Sequence, residues 1–348
     1  MTVAGPGEME VRIGKPFDVL GLKGTSLVEI TEYAKHLRRV AAALYAPSEP
    51  TRELRACPCC DADTSTAAVE LVVYGVSYHR CRTCGHVFVR DQPSTEALEA
   101  HFAETEEHSA AYTDEDAVEL RLAQIVEPKL DWMLDTYRRV HGREPRCAVD
   151  VGAGGGHFVA ALRRAGLEAD GYELSKASRR FAREAFSLEL RSDDFLAEEA
   201  ASGSWDVITF WGLLEYTPEP KRFLEAARRR LDPASGLLVV EVPRADCLGT
   251  AVQKAWPETI ARHLDPTSHV NCFSDASLET ALRTCGFRQV AVWYFGMDAY
   301  ELLVQIALHV GESEALERLA EPLLGLQPVF DAARLCDDVV IAAVPFDG

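Results

Sequence analysis

The sequence predicts an α/β fold built on a parallel sheet, with a small cysteine-bearing module in front of it. Three observations carry this. Strand-like and helix-like segments alternate from Arg146 to Pro243, a glycine-rich loop follows the apolar run Ala148–Val151, and two Cys-x-x-Cys knuckles stand twenty residues apart nearer the amino-terminal end. At 348 residues the chain has length for more than one unit, and a hydrophobic fraction of 47% is enough for a sizeable core.

Residues 1–50 read as an N-terminal helical segment, because Leu27, Ile30, Ala34, Leu37 and Val40 recur at helical spacing before the Pro47-Ser48-Glu49-Pro50 linker. Residues 51–92 form the cysteine module, in which Val69 to Tyr78 alternates weakly, like one arm of a hairpin. Residues 93–140 are helical in pattern, a linker or lid, with Ser94 capping Thr95-Glu96-Ala97-Leu98 and a break near Tyr112-Thr113-Asp114. The rest, 141–348, carries the βαβ rhythm to Pro243, then a helix from a Ser274 cap to Gly286 and a strand from Gln289 to Phe295. Two helices across 298–326, read as an insertion, precede a last strand, Val339 to Val344. There is no internal repeat and no low-complexity tract.

The run Val149-Asp150-Val151-Gly152-Ala153-Gly154-Gly155-Gly156-His157-Phe158 is a buried strand breaking into a glycine loop and then a helix. Glycine lets the backbone turn sharply and lie against a ligand. Gly152, Gly154 and Gly156 give G-x-G-x-G, whereas the dinucleotide fingerprint G-x-G-x-x-G needs glycine where His157 stands. Downstream, Glu173 stands at the end of the apolar-to-polar run Leu167 to Ser175, where a carboxylate can accept both hydroxyls of a ribose. Loop and acid together point to an adenosine.

Ten cysteines in a chain with no apolar leader core at its amino-terminal end read as reduced thiols and metal ligands rather than disulfides. Cys57, Cys60, Cys81 and Cys84 form the paired knuckles of a tetrathiolate zinc site, which is structural because it keeps no open position. Cys59 reads as a bystander, His79 and His86 as surface or supporting groups, and Cys147, Cys247, Cys272, Cys285 and Cys336 as small core residues. A formal net charge of −19 argues against a nucleic-acid partner, and no stretch suits a bilayer crossing. Cytoplasm is the default location, and oligomeric state is not legible.

The ordered motifs VDVGAGGGHF, GYELS, RSDDF, SWDVITFWGLLEYTPEP and GLLVVEVP, within residues 120 to 298, resemble the class I S-adenosylmethionine-dependent methyltransferases. The resemblance implies a Rossmann-like seven-stranded sheet whose last strand is antiparallel. It places Gly152, Gly154 and Gly156 at the methionine end of the cofactor, Glu173 on the ribose, and Asp194 or Asp193 at the adenine amine. Asp150, Leu174, Phe195 and Trp211 complete the candidate cofactor set. Leu214-Glu215-Tyr216 stands where the family often has a histidine. The zinc module adds a similarity to bacterial methyltransferases of sugars and specialised metabolites, including deoxysugar C-methyltransferases, whose first domain helps close the substrate cleft. His269, Phe273 and Ser274 match the E-H-x-x-x-F-S stretch of that group, with Ser268 in place of its Glu. His269 is therefore the first candidate base, with His263 and Tyr216 as further catalytic candidates, and Tyr112, Tyr216, Trp211 and Tyr78 as walls of the cleft. The function implied is O- or C-methylation of a small molecule. An NAD-dependent oxidoreductase and a zinc-ribbon binding protein with an inactive methyltransferase fold are the alternatives.

Overall fold

The computed structural model describes residues 9–347 except 17, 24–25, 105–117, 198–203, 258, 262 and 312. Its strands, in chain order, are β1 (Glu10–Ile13), β2 (Thr51–Glu53), β3 (Ala68–Val73), β4 (Val76–Arg80), β5 (Val87–Val89), β6 (Asp91–Pro93) and β7 (Cys147–Val151). They continue with β8 (Glu168–Tyr172), β9 (Val207–Trp211), β10 (Leu237–Pro243), β11 (Asn271–Cys272), β12 (Phe287–Phe295) and β13 (Asp338–Pro345). The main sheet has seven strands in the order β1-β12-β13-β10-β9-β7-β8, all parallel except β13. Its central strands are buried on both faces, which is why Val207–Phe210 and Leu237–Val240 are unbroken by charge.

The sheet has the seven strands and the antiparallel last strand that the resemblance implies, but one strand is supplied from outside residues 141–348. After β8 the segment that should supply the next parallel strand makes only one bridge, Tyr172 with Arg191. Arg191 uses both backbone groups there, donating to Gly171 O and accepting from Glu173 N at 2.8 Å each. Its guanidinium then turns onto Asp193, and the chain leaves the sheet. The seventh strand comes instead from β1, inside the segment read as helical. It pairs with β12 and is held by the buried Trp293, whose Nε1 donates to Gly14 O at 2.9 Å beneath the Arg12 guanidinium.

One face of the sheet is covered by a continuous helix from Val118 to His141 and by the helix His157–Arg164, through Leu130, Trp132, Met133, Val159 and Leu162. Residues Leu122–Val126 of the long helix form a π turn. The other face takes the helices Pro220–Arg230 and Asp275–Thr284 together with the cysteine module. Cys57, Cys59, Cys84 and Phe88 share one core with Leu224, Leu278 and Phe273.

The module is thus built into the domain. Val69 to Tyr78 is a whole hairpin, β3 and β4, turning at Tyr74 and Gly75 with φ of 52° and 83°, as a two-residue hairpin turn requires. Its sheet runs β11-β5-β4-β3, so a strand from the region beyond β10 completes it. The carboxyl-terminal insertion at 298–326 holds the two expected helices, Asp298–Val310 and Ser313–Leu324, and a short third helix, Gln327–Ala332, follows it. Tyr300, Leu303 and Val304 pack there against Ile30 and Ala34 of the Leu27–Leu44 helix. Ser94 caps Thr95–Glu104, accepting from Ala97 N at 3.2 Å, while the break expected at 112–114 lies outside the described residues. Among the described residues no helix is long and apolar enough to cross a membrane.

Trp293→Ala should remove about 3–5 kcal/mol of stability, the cost of emptying a buried indole site, and should release β1. Chemical denaturation with amide exchange at residues 10–13 checks this. A loss under about 1 kcal/mol with β1 still protected would contradict the anchoring role.

Candidate active site

The glycine loop springs from the carboxyl end of β7. Gly152, Gly154 and Gly156 all have positive φ, at 76°, 52° and 78°. A Cβ at Gly152 would lie 3.1 Å from Leu213 Cδ1, and one at Gly156 would lie 3.0 Å from Ala182 Cβ, so neither position accepts a side chain. Glu173 sits directly against this loop: one carboxylate oxygen accepts from Gly154 N at 2.8 Å and the other from Ser175 N at 2.6 Å. Burial raises its pKa above the usual value, against the pull of those two amides. Leu174 beside it is exposed.

Asp150 lies one layer below. It is buried and accepts from Thr209 Oγ1 at 2.7 Å, which braces β7 against β9, so it supports the loop and does not face a ligand. Asp193 is held by Arg191 at 2.5 Å and 3.0 Å, while the exposed Asp194 accepts from Leu196 N at 2.7 Å. Phe195 does not belong in a cofactor pocket: its ring is in the core, edge-on to Tyr172 and Phe210 at 5.3 Å and 6.0 Å. Trp211 closes β9 half-buried, edge-on to Phe158 at 4.9 Å, with the Lys129 ammonium 4.9 Å from its ring.

Across the carboxyl ends of the strands stand Tyr216 and His269. The Tyr216 ring meets His269 edge-on at 5.2 Å and Phe102 edge-on at 5.4 Å. His269 Nδ1 donates to His263 O at 2.7 Å, which fixes the tautomer and leaves the lone pair on Nε2. Its own carbonyl accepts from Tyr78 Oη at 2.7 Å. Tyr78 is therefore a fully buried strut, not a wall of the cleft, and Tyr112 lies outside the described residues. Ser268, at the position of the family's Glu, donates to Asp265 and shapes the turn.

His263 is no second base in the cleft. It is buried at the end of β10, with Nε2 2.6 Å from Arg244 O and 3.5 Å and 3.6 Å from the sulfurs of Cys247 and Cys272. Its contribution to the site is the carbonyl that orients His269. The sequence assigns no role to Glu215, a buried acid on the turn after β9, or to the buried ion pair of Lys129 with Glu241. Glu241 was detectable, because a charge inside the apolar run LLVVEVP demands a partner.

The four cysteines of the paired knuckles converge. Cys57 and Cys84 sulfurs lie 3.6 Å apart, Cys60 and Cys81 sulfurs 3.7 Å apart, and all four within 4.8 Å. A tetrahedron with Zn–S of about 2.3 Å has an edge of about 3.8 Å, whereas a disulfide would need about 2.05 Å. The two knuckles repeat one design. Asp61 N donates to Cys57 O and Gly85 N to Cys81 O at 3.0 Å, with Asp61 and Gly85 both left-handed. Cys59 is fully buried outside this set. His86 is not at the surface: it is buried on Phe88 and Phe273, with Nε2 2.9 Å from Asn271 Oδ1, and His79 is buried too.

Residues 126–292 match the family model described as a methyltransferase domain. A ubiquinone biosynthesis O-methyltransferase of Aeromonas salmonicida is 29% identical over 130 residues, 35% of this chain and 53% of that protein. Its counterpart in Methylococcus capsulatus is 32% identical over 143 residues, 38% of this chain and 58% of that protein. The chain spans about half the length of the curated relatives it matches. Among solved structures, magnesium protoporphyrin IX methyltransferase from Synechocystis with bound SAH aligns with 72% of this chain and 100% of that one, at 12% identity and a TM-score of 0.48. The methyltransferase domain so defined holds the glycine loop, Glu173, Glu215 and His269, and the cysteine module precedes it.

Within the methyltransferase domain, burial pushes the Asp150 carboxyl up to about 7. An unfolded Asp titrates near 3.9, so between about pH 4 and pH 7 the folded state keeps a proton that the unfolded state releases, and stability falls as pH rises. Asp150→Asn should remove a slope on the order of 1 kcal/mol per pH unit across that window. Urea unfolding of the ligand-free protein at several pH values checks this, and an unchanged slope would show that Asp150 is ionised in the fold.

Proposed function

We propose that the protein is an S-adenosylmethionine-dependent methyltransferase acting on a small molecule, a sugar or related specialised metabolite, by O- or C-methylation. The observation that carries this reading is the Glu173 carboxylate held against the amide of Gly154 in a G-x-G-x-G loop. That pairing suits a ribose and the methionine end of a sulfonium nucleoside better than a pyrophosphate. The relatives' O-methyltransferase names support transfer to oxygen, and the net charge of −19 supports a small-molecule acceptor over nucleic acid.

When bound, the cofactor supplies a methyl group on a good leaving group, so the protein's tasks are alignment and exclusion of water. Glu173 accepts the ribose hydroxyls, exchanging a backbone amide for them, and Asp194 faces the adenine amine. Tyr216 and Phe102 wall the acceptor side. His269 Nε2 would take the acceptor's proton, and the cofactor would supply the methyl group, keeping the electron pair of the broken C–S bond on its own sulfur. Cys57, Cys60, Cys81 and Cys84 hold a structural zinc ion, whose place in this scheme is to fix the module that carries β5. Their sulfur spacing is the support for it.

Isothermal titration calorimetry tests the reading directly. S-adenosylhomocysteine should bind and NAD should not. Glu173→Ala should weaken binding by about 1–3 kcal/mol, the worth of charge-assisted hydrogen bonds, while His269→Asn leaves it unchanged. Preferential retention of NAD would overturn the proposal.

A further inference from the structure

Glu215 lies on the turn from β9 to the helix Pro220–Arg230, between the glycine loop and the His269 segment. On the loop side, its turn-mate Leu213 packs against Gly152 so closely that a Cβ there would lie 3.1 Å from Leu213 Cδ1. On the other side, Asn271 N donates to Glu215 O at 3.1 Å, and the next residue, Tyr216, meets His269. The carboxyl folds back over the strand end: its Oε1 is 3.2 Å from where a Cβ on Gly212 would stand, so glycine makes room for it.

The group is 4% exposed, and Oε2 has no hydrogen-bond partner among the described residues. Of the two positive groups whose charge acts on it, Lys129 is engaged by Glu241 and His263 by the carbonyl of Arg244. A buried carboxyl oxygen without a partner costs the fold stability that an apolar side chain of similar size would not, and such violations concentrate where function requires them.

We propose that Glu215 contacts the methyl acceptor, donating a hydrogen bond from Oε2 to an oxygen next to the atom that is methylated. The proposal rests on the methyl-transfer reading above. The ligand feature it selects is a hydroxyl or carbonyl oxygen offering a lone pair. Burial pushes the carboxyl up to about 8, so at neutral pH it carries the proton it donates. The ionisable groups around it are Glu241 on β10 and Lys129 on the long helix, His263 and Cys272 on the segment that follows, and Tyr216 and His269.

The test uses full-length Glu215→Leu and Glu215→Gln, with thymidine diphosphate glucose and methyl glucoside as acceptor probes. Glu215→Leu should raise the melting temperature, keep S-adenosylhomocysteine affinity within about twofold, and raise the acceptor KM by about tenfold or more. Glu215→Gln retains a donor, so its KM should stay within about threefold of wild type at neutral pH. The wild-type KM should climb as pH passes about 8, because the ionised carboxylate no longer donates, and the Gln variant should show no such climb. A lowered melting temperature in Glu215→Leu, an unchanged KM in it, or the same pH profile in Glu215→Gln would each overturn the proposal. If the wild-type enzyme methylates neither probe, the sugar-acceptor reading fails, and the melting temperature of Glu215→Leu still decides whether the carboxyl is held for the fold or against it.

Discussion

Two ladder positions, Asn271 opposite Phe88 and Cys272 opposite Val87, join the cysteine module to the domain of the main sheet, and the position of the His269 segment depends on them. Between β10 and the helix Asp275–Thr284 the chain runs through some thirty residues with only one short helix, Leu248–Ala255. A connection of that length does not hold one conformation by itself. Here the module holds it at several points: Tyr74 accepts from Ala261 N, Tyr78 donates to His269 O, and His86 meets Asn271, while Tyr45 at the end of the Leu27–Leu44 helix donates to Pro266 O. His269 owes its position to a neighbouring module as much as to its own segment.

The cofactor side is built on the opposite plan, from local backbone geometry. Left-handed glycines bring the loop's amides to Glu173, and Asp150 with Thr209 locks the two central strands beneath. Between the two sides the carboxyl ends of β9 and β10 carry Glu215 and Glu241, and Lys129 reaches Glu241 from the long helix, all three in a buried setting. Hydrophobic packing alone would fill that space more favourably, since buried charges gain little over an apolar core of equal volume. Keeping ionisable groups there is the mark of a region shaped for chemistry.

What could be read from the sequence was local in character. The glycine loop with Glu173 and the paired knuckles announce themselves within a few residues, because backbone turns and thiolate spacing are short-range constraints. The remainder is non-local. β1 has four residues and β11 two, too few for any periodicity, and each exists only because a distant strand offers its edge. Phe195 follows the acidic pair expected at the adenine, yet the chain turns at that point and the ring enters the core. His269 has a motif match that His263 lacks, and the burial of His263 against Cys247 and Cys272 marks it as a supporting residue, which the sequence did not show. Glu215 lies within one of the motifs that carry the resemblance, but the motif gives it no role. Its significance lies in the missing partner of Oε2 among the described residues, which only three dimensions can show.

Hydrogen exchange across residues 263–274, followed with zinc bound and after its chelation, measures the dependence of the His269 segment on the cysteine module most directly. The account predicts that zinc co-purifies, and that its removal costs residues 263–274 their protection together with residues 57–89, while β7, β9 and β10 keep theirs. Protection of 263–274 that survives the loss of order in 57–89, or a protein that retains no zinc, would contradict it.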